Sequence, residues 1–552
     1  MPCKDYLPET LRSKPFAAPG ITTGAHALGD VKACLDLCSI VKPMRNEVAI
    51  PGRSANFARL VFETAAFAGA KPAIVEGGRE WNYEWLVGRA LGFAETLDAA
   101  GVRPGDRVAI LLPRGAESAA AFFGTLVRGA VAVFVDETLR ARQVEHIANH
   151  SGARALLVSE NLLARLSRPL DTGAQMLELG SVPSQGSFDP CPRIEHDIAQ
   201  IIYTSGSTGL PKGVTLSHGN LWAGAGAVAG YVGVRAEDRI ASLLPFSFDY
   251  GLNQLFCCAA TGATLVVERS PVPQRIVETL RHEEVTILPG VPPLWLQLLT
   301  VSAFKESPLP ALRKLTNTGG RLPVAAVRQL RRSQPQAELF LMYGLTEAFR
   351  SAYLPPERVD SKPESVGQAI PGAELIVIDE ELKRCEPGVV GELIHRGPTV
   401  ALGYWNDPDA TARVYRPNPL RTDESPNAER VVFSGDLVYV DAEGDLFFVG
   451  RQDTMIKTLG HRVSPDEVAD VLYASGEVVE AIVASEPDEL RGSRIVAQVV
   501  LSESGDPERL AAYCAAELPR YMQPSRIDVR PSLPRTSSGK FDVRAATRDD
   551  RT

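Results

Sequence analysis

The chain has 552 residues, of which 45% are hydrophobic and 23% are charged, and its formal net charge is -9 at pH 7. This length predicts two or more domains, and the composition is that of a globular protein rather than a disordered or fibrous one. The acidic balance disfavours a nonspecific nucleic-acid surface, and eight scattered cysteines are too few for a disulfide framework.

The first 50 residues form an N-terminal extension without a clear pattern, and no chemistry can be assigned to them. They begin with Met-Pro-Cys-Lys-Asp-Tyr, which lacks the apolar core of a signal peptide. The most apolar region, residues 119–135, is interrupted by Arg128 and two glycines and is too short for a membrane span. The sequence therefore predicts a cytoplasmic protein.

From residue 56 onward, helical periodicity alternates with short apolar runs. The predicted segments are helices at residues 56–70 and 81–100, a helix ending at residue 127, and strands at residues 72–76, 108–112, 132–135 and 155–158. This alternation is typical of α/β layers with mostly parallel strands.

Residues 203–214 read Y-T-S-G-S-T-G-L-P-K-G-V and follow the apolar pair Ile201-Ile202. Gly206 and Gly209 let backbone amides approach an anion closely, and Lys212 adds a point charge for phosphate. The hydroxyl donors are Ser205, Ser207 and Thr208. The order of residues differs from G-x-x-x-x-G-K-[ST], but it predicts a phosphate-binding loop; a flexible surface turn is the alternative.

Three later strands also run into glycine-containing or polar loops. They lead into Pro289-Gly-Val-Pro-Pro293, Gly319-Gly320 and Tyr343-Gly-Leu-Thr-Glu347. In open α/β folds, ligands bind where strands end in such loops. We therefore expect these loops and the phosphate loop to share one cleft.

After residue 374 the pattern changes to short strands and turns, which indicates an antiparallel β-rich subdomain. The last hundred residues have their own helix and strand alternation, as expected for a separate small domain. The predicted organisation is an N-terminal extension (1–50), a large domain (51–451) and a small C-terminal domain (452–552). Lys540 ends the polar tail of that domain, for which a frayed terminus is the alternative interpretation.

Several motifs occur in one order along the chain. They are the loop at 203–214, Thr318-Gly-Gly320, Tyr343-Gly-Leu-Thr-Glu347, Gly391-Glu-Leu followed by Gly403-Tyr404-Trp405, Ser434-Gly-Asp436, Gly450-Arg451 followed by Lys457 and Gly460, and Ser538-Gly-Lys540. Over residues 56–540 the chain thus resembles the adenylate-forming superfamily of acyl-CoA synthetases, peptide-synthetase adenylation domains and luciferases. The resemblance implies a large α/β domain with a β-rich subdomain, and a small mobile α+β C-terminal domain.

The resemblance also implies a reaction in two steps. A carboxylate attacks the α-phosphate of ATP to give an acyl-adenylate and pyrophosphate, and then a pantetheine thiol of CoA or of a separate carrier protein displaces AMP. An amine or another nitrogen nucleophile is an alternative acceptor. A nucleotide-binding protein without catalysis is disfavoured, because the costly charged residues Lys212, Glu347, Asp436, Arg451 and Lys540 are all present.

Site residues follow from the resemblance position by position. The implied ATP site consists of Thr204, Ser205, Gly206, Ser207, Thr208, Gly209, Lys212, Gly319, Gly320, Tyr343, Gly344, Asp436 and Arg451. Thr346 would hydrogen-bond the α-phosphate, and Lys540 would reach the α-phosphate and carboxylate oxygens. Glu347 is the implied Mg²⁺ ligand, with Thr208 as a second one. Asp436 would accept the ribose hydroxyls.

The acid is implied to bind at Phe248, Asp249, Gly290 and Val291. Amino-acid adenylation domains carry Phe-Asp here, so Asp249 is a candidate partner for a substrate ammonium; hydrogen bonding to local backbone amides is the alternative. The stretch Phe246-Ser-Phe-Asp-Tyr-Gly251 is similar to the exosortase-associated acyl-CoA ligases. That similarity favours a small polar acid, such as an amino-bearing one, over a long fatty acid.

The resemblance further implies that the C-terminal domain rotates between the two steps. Asp453 matches the hinge, whereas Lys457 and Gly460 lie near the implied thiol tunnel. A side chain at Gly460 would block pantetheine.

Overall fold

The computed structural model describes residues 54–166, 168–204, 211–421, 429–458, 461–488 and 492–548. The N-terminal extension 1–50 lies outside these ranges, as do Gly460 and the loop residues Ser205, Gly206, Ser207, Thr208 and Gly209. Among the residues within them, no helix has the length and apolar character needed to cross a membrane.

The helices surround and connect the sheets. The α-helices are Arg59–Ala68, Tyr83–Ala99, Ala116–Val127, Ala141–Ser151, Glu160–Ala164, His218–Val232, Asp249–Thr261, Pro273–His282, Pro292–Leu298, Ser302–Lys305, Val324–Ser333, Pro408–Val414, Pro465–Ala474, Pro507–Glu517 and Val543–Arg548. Short 3-10 helices are formed by Leu179–Ser181 and Pro356–Arg358.

The larger sheet combines the α/β part with the β-rich subdomain. Its strands, in spatial order, are Glu374–Ile378, Gly391–Arg396, Arg430–Val440, Leu446–Arg451, Ser365–Ala369, Ala348–Leu354, Glu338–Leu345, Lys314–Asn317, Ile287–Gly290, Arg239–Ser242, Thr264–Val267, Pro72–Glu76 and Arg79–Asn82, and Tyr415–Pro417 pairs with Arg430–Val440. From Glu338–Leu345 to Pro72–Glu76 the pairing is parallel, and in the β-rich part it is antiparallel. Both predictions are confirmed.

The second sheet carries the predicted phosphate loop between two of its strands. Its order is Gly403–Tyr404, Lys212–Ser217, Ile198–Thr204, Val131–Phe134, Arg107–Leu111, Ala153–Val158 and Gln175–Glu178. The main hydrophobic core combines side chains of both sheets with those of the buried helix Ala116–Val127.

One predicted helix begins later than its apolar pattern indicates. Arg79–Asn82 is a strand that forms a hairpin with Pro72–Glu76, although residues 81–100 have helical spacing. The helix starts at Tyr83 because the side chain of Asn82 accepts a hydrogen bond from the Trp85 backbone N–H at 2.8 Å. This N-cap overrides the apolar pattern.

The C-terminal part has a small sheet and a hydrophobic core of its own. Val478–Asp488, Gly492–Leu501 and Arg526–Val529 form a three-stranded sheet, and Ile456–Thr458 pairs with His461–Val463. A large α/β domain with a small C-terminal domain is the predicted fold class, and it is confirmed. The exact residue at which one domain gives way to the other stays a prediction.

Phe122 is expected to be a stability determinant of the main core. It is fully buried and contacts the rings of Phe123, Phe134 and Phe256. Phe122→Ala should lower the free energy of unfolding by about 3–5 kcal/mol, because it removes buried surface and leaves a cavity. Phe67→Ala, at a side chain that is 70% exposed, is the matched control and should change it by about 0.5 kcal/mol or less. If denaturant unfolding showed the same loss of unfolding free energy for Phe122→Ala and Phe67→Ala, this assignment would be contradicted.

Candidate active site

Three adjacent parallel strands bring their carboxyl ends to one edge of the larger sheet. Ile287–Gly290 pairs with Lys314–Asn317, which in turn pairs with Glu338–Leu345. Their following loops therefore lie side by side, as predicted for the shared cleft.

Lys540 of the C-terminal domain lies against these strand ends. Its Nζ is 4.9 Å from the centre of the Phe248 ring. Gly319 has φ +81°, and a Cβ there would lie 2.9 Å from Lys540 Cε and 3.2 Å from Val291 Cγ1. The positive φ favours glycine here, and a side chain would force Lys540 to shift. The alternative of a frayed C-terminal tail is thereby disfavoured.

The charge of Lys540 is held in a partly desolvated position. Burial lowers the pKa of Lys540, the carboxylate of Asp249 opposes that shift, and the guanidinium of Arg350 adds to it. A tight turn presents the lysine, since the Gly539 N–H donates to the Thr536 carbonyl at 2.9 Å. A partly desolvated cation interacts strongly with any anion that enters the cleft.

The Tyr404 side chain contacts both Lys212 and Glu347, two charged residues at the predicted phosphate end of the site. Lys212, which pairs with Thr204 across the hairpin, places its Nζ 5.5 Å from the centre of the Tyr404 ring. The Tyr404 hydroxyl donates to Glu347 Oε1 at 2.6 Å. The sequence motif contains Tyr404 but does not identify it as a site residue.

Local packing explains why Tyr404 reaches this position. Gly403–Tyr404 pairs with the strand Lys212–Ser217, and the Trp405 N–H donates to the Gly213 carbonyl at 2.7 Å. A Cβ at Gly213 would lie 2.6 Å from Ile201 Cγ2. The glycine after Lys212 therefore allows the strands to pack closely.

Asp436 is the buried carboxylate at the predicted ribose position. It is 4% exposed, and its Oδ2 accepts a hydrogen bond from the Tyr343 hydroxyl. Its Oδ1 is 3.3 Å from Arg451 Nη1, yet among the described residues it has no hydrogen-bond donor. Burial raises the pKa of Asp436, and Arg451 opposes that shift. A buried carboxylate oxygen without a donor suits a hydroxyl ligand.

The His395 ring packs against the Tyr343 ring, and the sequence did not indicate this role. The two rings stack with centroids 5.8 Å apart, and His395 Nδ1 is 2.7 Å from Ser351 Oγ. Burial lowers the pKa of His395 to about 3, so the ring is neutral near pH 7. It supports Tyr343 without adding charge.

The predicted acid pocket contains an ion pair that the sequence did not reveal. Asp249 Oδ2 is 3.7 Å from Arg350 Nη1, and both side chains are 3% exposed. Phe248 and Val291 pack with Tyr250 in the same apolar cluster. Asp249 thus has a cation from its own chain as a neighbour, and whether it binds a substrate ammonium or local backbone amides stays a prediction.

The remaining predicted residues line the same edge or the domain junction. Gly290 lies against Trp295, whose Cε2 would be 2.5 Å from a Cβ there, and the Gly320 carbonyl is 3.3 Å from Asn317 Nδ2. Gly344 lies close to Arg350, whose Cα would be 3.0 Å from a Cβ at that position. Thr346 directly precedes Glu347.

At the domain junction, Asp453 Oδ1 accepts a hydrogen bond from Arg451 Nε at 3.1 Å. Lys457 lies in the strand Ile456–Thr458. The roles of these individual residues stay predictions.

An ion pair joins the C-terminal domain to the cleft. Arg321, which follows Gly319-Gly320, has its Nη1 2.6 Å from Asp470 Oδ2 on the helix Pro465–Ala474. Burial raises the pKa of Asp470 to about 6, and Arg321 opposes that shift. This contact lies next to Gly319, so it fixes the C-terminal domain where Lys540 enters the site.

Comparison with known families agrees with the motifs. A model described as AMP-binding enzyme matches residues 61–405, and one described as AMP-binding enzyme C-terminal domain matches residues 467–540. Novobiocin biosynthesis protein H from Streptomyces niveus is 30% identical over 511 residues, covering 89% of this chain and 82% of that protein. The resemblance to adenylate-forming enzymes is therefore confirmed.

The chain is also similar to much longer proteins and to proteins of known structure. Tyrocidine synthase 2 from Brevibacillus parabrevis is 30% identical over 86% of this chain, which spans only 13% of that relative. A structure of o-succinylbenzoate CoA synthetase from Bacillus subtilis with an acyl-adenylate intermediate matches with a TM-score of 0.77 and 26% identity, covering 89% of this chain and 98% of that chain. Another structure of that synthetase contains ATP and a magnesium ion.

The Arg321–Asp470 contact should hold the helix Pro465–Ala474 to the large domain. Arg321→Ala leaves Asp470 without its cation, so amide hydrogen exchange in that helix should become about tenfold faster or more. Arg331→Ala is a matched control, because Arg331 pairs with Asp360 within the large domain, where the Asp360 side chain is 71% exposed. Unchanged exchange in Arg321→Ala would show that the ion pair does not hold the domains together.

Proposed function

Because the chain belongs to the family of AMP-binding enzymes, we propose that it activates a small polar carboxylic acid with ATP. The products of the first step are an acyl-adenylate and pyrophosphate. The acyl group then passes to a pantetheine thiol, of CoA or of a separate carrier protein, and AMP is released. A cytoplasmic location, where ATP is supplied, fits this reaction.

The placement of Lys540 carries the proposal. Joining a carboxylate to the α-phosphate of ATP brings two anions together, and the barrier falls when a fixed cation lies between them. Lys540 reaches the strand ends beside Phe248 and Gly319, where a partly desolvated ammonium can contact oxygens of both reactants. Thr346 would add a hydrogen bond to the α-phosphate.

In the first step, a carboxylate oxygen attacks the α-phosphorus, and the bond from that phosphorus to the oxygen bridging to the β-phosphate breaks. Pyrophosphate leaves with the bonding electrons. Lys212, whose Nζ is 5.5 Å from the centre of the Tyr404 ring, would hold the terminal phosphates. Asp436, whose Oδ1 lacks a donor among the described residues, would accept a ribose hydroxyl.

Glu347 is the residue that would hold Mg²⁺. A carboxylate near the phosphate end matches the hard oxygen ligands that this cation prefers, and the Tyr404 hydroxyl fixes its Oε1. When bound, the cation neutralises phosphate charge. The other oxygen of Glu347 is the one left for coordination.

The second step requires Lys540 to leave the site. The thiol sulfur attacks the acyl carbon, the thiol proton passes to solvent or a base, and AMP departs with the bridging oxygen. We propose that the C-terminal domain rotates about Asp453 to admit the thiol. Such a rotation must break the Arg321–Asp470 contact. The part played by Lys457 and Gly460 in a thiol tunnel belongs to this proposal as well.

Lys540→Ala tests the assignment of the cation. ATP–pyrophosphate exchange, measured over alkyl, aryl, dicarboxylic and amino acids, should fall by about 10²–10³-fold with the best acid, because transition-state charge is left unstabilised. Thiol transfer from a preformed acyl-adenylate should be retained. The control is Lys383→Ala, because the Lys383 side chain is 72% exposed. This variant should catalyse ATP–pyrophosphate exchange at the wild-type rate. Full exchange in Lys540→Ala would refute the role of this lysine.

Magnesium dependence tests the Tyr404–Glu347 contact. Chelation of Mg²⁺ should abolish exchange, and Tyr404→Phe should raise the Mg²⁺ concentration for half-maximal exchange by about 10- to 100-fold, since a hydrogen bond to a charged carboxylate is lost. Tyr513→Phe, on the helix Pro507–Glu517, should leave it unchanged. An unaltered Mg²⁺ requirement in Tyr404→Phe would mean that Tyr404 does not orient the ligand.

A further inference from the structure

We propose that Arg350 recognises the far end of the acid, and that the acid carries a second hydrogen-bond-accepting oxygen group that binds the free edge of the Arg350 guanidinium. This inference rests on the proposed function and identifies its substrate class.

Arg350 is a buried cation in a conformation that the surrounding structure must enforce. It is 2% exposed and has φ +65°, a region that residues other than glycine seldom occupy. The close approach of Gly344 to its backbone accompanies this conformation. The guanidinium carbon lies 4.7 Å from the Tyr250 ring centre and 5.2 Å from that of Phe349, so the cation contacts two aromatic rings.

One edge of the guanidinium faces a carboxylate and the other faces no described hydrogen-bond acceptor. Nη1 faces Asp249 Oδ2 at 3.7 Å. Nε and Nη2 are buried and have no hydrogen-bond partner among the described residues. These two nitrogens form the side of the fork that binds two oxygens in parallel. Leaving such donors unpaired in a buried site is costly, so the free edge is suited to a ligand oxygen group.

Arg350 lies close to the reacting end of the site. The Tyr250 ring, whose centre is 4.7 Å from the Arg350 guanidinium carbon, lies 6.2 Å from the Phe248 ring. Lys540, which would hold the reacting carboxylate, contacts that same Phe248 ring. Tyr231 and Tyr353, whose rings stack at 4.2 Å, pack in the same apolar cluster as Phe248 and Tyr250. Arg350 adjoins this cluster through the Tyr250 ring, which favours an acid whose polar far end reaches Arg350.

The same arrangement disfavours an amino-bearing acid. A substrate ammonium at Asp249 would have to approach the Arg350 guanidinium, which already neutralises that carboxylate at 3.7 Å. An ammonium and a guanidinium that share one buried carboxylate lie close together and repel each other strongly. The expectation that Asp249 pairs with an ammonium therefore gives way to a role in which Asp249 holds Arg350.

The test compares acids of equal chain length in ATP–pyrophosphate exchange. Pentanedioate, its monomethyl ester, pentanoate and 5-aminopentanoate present an ionised acceptor, a neutral acceptor, no acceptor and an ammonium. The same four groups are tested on chains of three to six carbons. The wild-type protein should show its highest kcat/KM with an acceptor-bearing acid, and the ester separates neutral from ionised acceptors. A preference for the alkyl or the amino acid would overturn the proposal.

Variants then assign the preference to Arg350. Arg350→Met should raise KM for the preferred acid by about 10- to 100-fold, because charge-assisted hydrogen bonds are lost, while KM for ATP and for the alkyl acid stay within about twofold. Arg350→Lys keeps the charge without the fork and should recover only part of the loss. An unchanged acid preference in soluble Arg350→Met would overturn the assignment.

The outcomes separate the two proposals. A preference for acids that lack an acceptor refutes the role of Arg350 and leaves the proposed function standing. No exchange with any alkyl, aryl, dicarboxylic or amino acid, in a wild-type protein that binds ATP, refutes the proposed function itself. The wild-type panel decides the substrate class even if Arg350→Met fails to fold.

Discussion

The structure depends on one constraint, which is that the Lys540 ammonium must reach the cleft where three parallel strands end. That cation lies beside Phe248, and its side chain packs closely against Gly319, where a Cβ would lie 2.9 Å from Lys540 Cε. The Arg321–Asp470 ion pair fixes the C-terminal domain next to the same glycine. The position of one lysine thus links the sheet topology, a glycine turn and the packing of two domains.

The carboxylates of the site are each oriented by a group from a different part of the chain. Asp436 accepts from the Tyr343 hydroxyl, Glu347 from the Tyr404 hydroxyl, and Asp249 faces Arg350. Such partners fix the carboxylate geometry before any ligand binds, so little reorganisation is needed when charge develops. Partial burial also strengthens each of these interactions relative to water.

Spacing and residue type predicted the parts of the site that a local rule determines. Strand ends followed by glycine could be read in this way, whereas Lys540 was indicated by the family resemblance. Tyr404, His395 and Arg350 could not, because their roles depend on long-range contacts: Tyr404 bonds a residue 57 positions away, and His395 one 44 away. Asp249 was found by pattern, but its neighbour Arg350 became visible only in the folded chain.

The central claim is that the acid carboxylate attacks the α-phosphorus of ATP. It is tested most directly by supplying the preferred acid with ¹⁸O in its carboxylate and isolating the nucleotide and phosphate products after thiol transfer. The account predicts that one labelled oxygen appears in AMP and none in pyrophosphate, because the bridging oxygen of the adenylate departs with AMP. Label in inorganic phosphate, with ADP as the nucleotide product, would contradict it.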